Sequence, residues 1–205
     1  MYFVSSGFSL SASYFTLRRE RQIVEGRHRV DKEHILLKLV LDRIGFGNIE
    51  IDTFEKRLIL QKKIYLLQLT GTDLGYRYNW YLQGPYCPAL ANDTFNLREE
   101  IRYDDEFNDY ELNMKTQNRF EILNKIIGMP DTPTIRESEW VELLASLHYL
   151  KHIAYWPGKC KPEFDEIFEK LKESKPHFAD KMALAKDGWE RLNNIGLITS
   201  KTLES

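Results

Sequence analysis

The segment from Thr53 to Thr70 constrains this chain more than any other. Its apolar side chains, among them Phe54, Leu58, Ile59, Leu60, Ile64, Leu66, Leu67 and Leu69, point in almost every direction around a helix. A helix with so little polar circumference has to be covered from several sides, so the rest of the chain must supply elements around it. We therefore expect it as the central helix, over 53–70, with Thr53 at the N-cap. Two narrow polar stripes interrupt it. Lys56 and Lys63 share one edge at i, i+7; Arg57, Gln61 and Gln68 share another at i, i+4, i+11. Polar side chains on a buried helix must find hydrogen-bond partners, which makes the second stripe informative.

The covering elements are legible. Asp31 to Gly45 has helical spacing at Ile35, Leu36, Leu39, Val40 and Ile44, with Asp31 as cap and Gly45 and Gly47 as stops. Tyr76 to Leu82 alternates, with Tyr76, Tyr78 and Trp80 on one face and Arg77, Asn79 and Tyr81 on the other, which predicts a half-buried strand ended by Gly84-Pro85. Cys87 occupies an N-cap position and Pro88 the first turn of a helix running to about Arg102. Tyr110, Leu112 and Met114 alternate as a short second strand or wing. Further helices are expected near 117–127, 136–155, 162–174 and 179–195, the last closed by a Schellman pattern at Gly196-Leu197. The fold class is mainly α (α+β), a single helical domain over 32–205 with a small β-hairpin or wing, winged-helix-like in part. Residues 1–31, serine- and aromatic-rich and then basic, read as an arm.

Composition narrows the class. With 205 residues, 42% hydrophobic and 13% aromatic, the chain can bury a core without disulfide or metal staples. A formal charge of −2 argues against a general polyanion coat but leaves room for a local basic patch. Cys87 and Cys160 cannot make a disulfide framework. No apolar run reaches the roughly 18–20 residues that span a bilayer. Met1 to Leu17 lacks the cationic start of a secretory signal. The expectation is a soluble, cytoplasmic protein without a membrane partner.

Catalytic motifs are missing. There is no G-x-x-x-x-G-K-[ST] and no G-x-S-x-G; Gly45-Phe46-Gly47 lacks a third glycine and follows a helix. His148 and His152 share a helix face at i, i+4, but Tyr149 stands where a zincin needs glutamate, and no third ligand is indicated. Cys160 between Lys159 and Lys161 has no base placed beside it, and no [DE]-x-K follows Pro130-Asp131. The sequence nominates no catalytic residue, no metal and no cofactor. An enzyme of unrecognised type is the third of three readings.

The distinctive stretch is Leu60-Gln61-Lys62 with Tyr65-Leu66, followed by Tyr81-Leu82-Gln83-Gly84-Pro85-Tyr86. A helix of this kind, then an aromatic strand, then a glycine-proline-tyrosine turn at 84–86, resembles the YwgA-like prokaryotic proteins. More distantly it is similar to the Panacea (SocA-like) antitoxin domain. The resemblance covers roughly residues 32–93, with a weaker echo from Trp189 to Ile198. Cys87 departs from it, since serine is usual there, and the arm has no counterpart. The resemblance implies a protein-binding role, either neutralising a toxin or serving in a prokaryotic phage-defence assembly.

The residues support recognition by their own chemistry. Gly84 and Pro85 stiffen the corner that presents Tyr81 and Tyr86, aromatic side chains suited to a binding hot spot. Arg57, Gln61 and Gln68 would line the wall behind. The plainer alternative is that the motif only locks helix to strand, in which case Gln61 bonds the backbone of the turn. The first functional reading is a non-enzymatic protein-interaction module that binds a protein partner through these seven residues. The acidic run from Glu99 to Glu111 would be a solvated loop or a dock for a basic partner. The alternative is a nucleic-acid-binding subunit using Arg18, Arg19, Arg21, Arg27, Arg29, Lys56 and Lys63 on phosphates.

Overall fold

A computed structural model describes residues 14–17, 31–103, 106–131, 135–158 and 162–198. It is mainly helical. The described residues form seven α-helices: α1 (Lys32–Arg43), α2 (Phe54–Leu69), α3 (Pro88–Glu100), α4 (Met114–Ile127), α5 (Glu137–His152), α6 (Phe164–Ser174) and α7 (Met182–Asn194). They also form four short strands: β1 (Phe15–Leu17), β2 (Asn79–Tyr81), β3 (Gly84–Tyr86) and β4 (Tyr110–Leu112). β1 pairs antiparallel with β4, and β2 with β3 in a hairpin that sets Trp80 opposite Pro85. No helix among the described residues is long and apolar enough to cross a membrane.

The expected caps operate. Asp31 accepts from Glu33 N–H and Thr53 from Lys56 N–H. Leu197 N–H donates to Leu192 C=O and Gly196 N–H to Asn193 C=O, with Gly196 at φ +75°, completing the Schellman turn.

The most deeply buried helix is α5. From Trp140 to Lys151 every one of its residues is buried, whereas α2 exposes Phe54 and Glu55 at its start. α2 and α7 both pack on α5. Gly188 brings α7 in close: a Cβ there would lie 3.0 Å from Leu144 Cδ2. The centre of the fold therefore lies between α5 and α2 and not on α2 alone. Part of the stretch read as an arm belongs to the core as well. Tyr14 and Phe15 are buried, and Tyr14 C=O accepts from Asn113 N–H and Thr116 Oγ1. The basic residues Arg18, Arg19, Arg21, Arg27 and Arg29 lie outside the described residues, as does Cys160.

Candidate functional site

The polar stripe of α2 is spent on backbone. Gln61 is buried; its Oε1 accepts from Cys87 N–H and its Nε2 donates to Cys87 C=O, both at 3.0 Å. Gln68, two turns further on, treats the entry to the hairpin in the same way. Its Oε1 accepts from Leu74 N–H and Tyr76 N–H, and its Nε2 donates to Tyr76 C=O. Each amide stands in for a neighbouring strand. Arg57 donates through one nitrogen to the carbonyls of Ile51 and Asp52. Cys87 makes no side-chain cap to α3, so Gln61 holds the turn that a serine hydroxyl would otherwise help to hold.

Beneath the hairpin lies a buried charge cluster that the sequence reading did not single out. Lys62 donates to Pro85 C=O, and Lys175 donates to Leu82 C=O and, at 2.7 Å, to Glu142 Oε1. The Gln83 amide, with its nitrogen facing the carboxylate, reaches Glu142 Oε2 at 2.7 Å and Oε1 at 3.0 Å. Gly84 (φ +79°) passes so close that a Cβ would sit 2.7 Å from Ser146 Oγ, a buried hydroxyl without a hydrogen-bond partner among the described residues. Burial is the largest influence on Lys62 and brings its amine down to about 7; the Glu142 carboxylate opposes this and the Lys175 ammonium adds to it. Burial also lowers the Lys175 amine, against the pull of Glu142.

Clues to this cluster exist in the sequence. Lys62 has Leu58 and Leu66 at i−4 and i+4, which places it on an apolar face, and Glu142 is a lone acid among Trp140, Val141, Leu143 and Leu144.

The outer side of the hairpin borders a groove of about 440 Å³ between the start of α2, the β2–β3 tip and α3. Of the seven residues nominated for partner binding, Arg57, Gln61, Tyr81, Gly84 and Tyr86 line it, while Pro85 is buried and Gln68 lies two turns beyond Gln61 along α2. Sequence reading did not anticipate Phe54, Leu82 and Phe95 there. These are exposed by 63%, 89% and 43%, and Tyr81 by 51%. Tyr81 and Tyr86 meet edge to face, their centroids 5.2 Å apart. The corner is thus sealed on its inner side and open on its outer side.

The cations nominated for phosphates are paired where they are described: Lys56 with Glu50 at 2.6 Å and Lys63 with Glu137 at 2.8 Å. In the acidic run, Glu99 pairs with Arg102 and Glu100 with His34. His148 packs beside His152, their ring centroids 5.0 Å apart. Its Nδ1 lies 2.7 Å from Tyr65 Oη in the core, and burial lowers it to about 3.

No protein-family model, no curated protein and no solved structure matches this chain.

Proposed function

We propose that this chain is a non-enzymatic protein-interaction module that receives its partner in the groove beside the β2–β3 tip. One observation carries the reading: Phe54, Tyr81, Leu82 and Phe95, all large, apolar and exposed, gather around a single concavity. Exposed apolar side chains scattered singly are ordinary, but a group of them around one groove marks an interaction site. The rigidity of the tip supports the reading, because an already ordered surface loses little entropy on binding. An antitoxin-like neutraliser, or a subunit of a defence assembly, is the setting suggested by the resemblance of roughly residues 32–93 to the YwgA-like proteins and, more distantly, to the Panacea domain. The pairing of Lys56 and Lys63 with carboxylates gives less support to phosphate contacts.

Affinity capture at moderate salt, with wild type and folded variants compared, tests the proposal. Tyr86→Ala, Arg57→Ala and Leu82→Ser should each weaken retention of the captured partner by about tenfold or more. Tyr155→Ser, exposed but outside the groove, should leave it unchanged. Equal retention by all variants would refute the proposal. So would salt-sensitive retention on DNA as the only binding found.

A further inference from the structure

The two strands of the hairpin treat their outer edges differently. Pro85 has no N–H, so the Trp80–Pro85 pair exchanges no main-chain bonds. Strand alternation then turns the main-chain groups of Pro85 and Cys87 away from β2, and those of Tyr76, Tyr78 and Trp80 away from β3. α2 fills the β3 edge: Lys62 donates to Pro85 C=O, and Gln61 takes both main-chain groups of Cys87. On the β2 edge, Gln68 takes both groups of Tyr76. At the other end Lys175 holds Leu82 C=O. Between these two stops, the N–H and C=O of Tyr78 and Trp80 have no hydrogen-bond partner among the described residues. β3 packs on α2 and α5, whereas β2 has substantial contact only with β3 among the described elements.

Unmet main-chain groups along a strand edge call for another strand, because an extended chain offers donors and acceptors in the same alternation. The open stretch is symmetrical about Asn79. An antiparallel copy of β2, laid along it with Asn79 opposite Asn79, sets Tyr78 opposite Trp80 in both directions and satisfies all four groups of each copy. The next rung, Tyr76 opposite Leu82, is closed in both copies, so the pairing ends where the open groups end. On the exposed face the same register sets Arg77 opposite Tyr81. Arg77 is exposed and has no carboxylate partner among the described residues. A guanidinium over a phenol ring is an attractive contact, made twice by the symmetry, and no like charges meet. We infer that two copies of this chain pair through the outer edges of β2, antiparallel and centred on Asn79. This stands independently of the groove reading, which uses the hairpin tip and α3.

Analytical ultracentrifugation of the intact chain should show a monomer–dimer equilibrium with a Kd below about 100 µM. Asn79→Lys places two lysines together on the twofold axis and should weaken dimerisation at least about tenfold; Arg77→Ala should weaken it by about as much. Both positions are exposed, so the far-ultraviolet spectra of the variants should match wild type. Cysteine crosslinking reads the register. Asn79→Cys should yield a disulfide-linked dimer on oxidation, above the wild-type background from Cys87 and Cys160. A mixture of Arg77→Cys chains with Tyr81→Cys chains should do the same, and neither variant alone should. A chain that stays monomeric at about 100 µM would overturn the inference and leave the edge to a strand from another protein. A dimer that Asn79→Lys does not weaken, or that Asn79→Cys does not crosslink, would overturn it as well.

Discussion

At Gly84 two demands meet on one residue. Its φ of +79° lies in the left-handed region, and the space where a Cβ would stand is taken by Ser146 Oγ. Alanine there would incur about 1–2 kcal/mol for the backbone alone, plus the displacement of Ser146. Gly84→Ala should therefore lower the unfolding free energy by about 2 kcal/mol, read from urea denaturation. Because Ser146 Oγ has no hydrogen-bond partner among the described residues, adding Ser146→Ala should recover part of the deficit. An unchanged urea midpoint for Gly84→Ala would mean that the turn is not held as described. The glycine's role was legible from Gly-Pro alone, but the identity of its neighbours was not. Ser146 and Glu142 come from α5, more than fifty residues away, and sequence spacing does not say which helix covers a turn. Lys62 is instructive in another way. Lys62 and Lys63 are neighbours in sequence but point in different directions on the helix, and it is Lys63 that reaches the surface carboxylate of Glu137.

Among the elements, the hairpin is where pattern and pairing diverge. The alternation from Tyr76 to Tyr81 matches burial side chain by side chain, with Arg77, Asn79 and Tyr81 exposed and Tyr76, Tyr78 and Trp80 half-buried. Only Asn79–Tyr81 is paired as a strand, because its partner is just three residues long. Upstream, the side chain of Gln68 takes the place of a strand. The partner, β3, escapes a sequence reading because Gly-Pro signals a stop; proline is tolerated there because this two-stranded hairpin is edge on both sides. The helices were easier to read. Their starts and ends fell within a few residues of expectation because apolar spacing and caps are local signals. The prediction at this scale concerns Gln61. Gln61→Met keeps the bulk but leaves Cys87 N–H buried without its partner, while Cys87 C=O keeps only Ala91 N–H at 3.3 Å, which should lower stability by about 1–3 kcal/mol. If Cys87 is as well tied as the geometry indicates, the variant's near-ultraviolet spectrum should also lose the contribution of Tyr81 and Tyr86. A variant as stable as wild type would show that the glutamine clamp is dispensable.

Several of the titratable groups that burial shifts most, Lys62, Tyr65 and His148, lie on α2 and α5, and they shape the response to pH. His148 is held down to about 3 by burial, and Lys62 to about 7. In both cases the unfolded chain binds the proton more readily. Stability contributed by neutral His148 is complete above its ordinary 6.5 and is lost as pH falls toward 3. Stability associated with Lys62 grows as pH rises from 7 toward 10.5. Burial raises the phenols of Tyr65 and Tyr78, so above about pH 10 the unfolded chain loses those protons first and stability declines again. Urea midpoints should therefore climb from pH 4 to pH 9 and fall above 10. His148→Gln should flatten the acid limb and Lys62→Met the segment from pH 7 to 9. A wild-type profile flat across pH 4 to 9 would contradict this account.

The cluster beneath the hairpin grips carbonyl oxygens, those of Leu82 and Pro85, while Gln61 grips the peptide group of Cys87. None of these anchors inspects the side chains of Tyr81 or Leu82. The scaffold is thus indifferent to what its tip displays. Selection for a new binding preference could rewrite those two positions without having to solve the folding problem again.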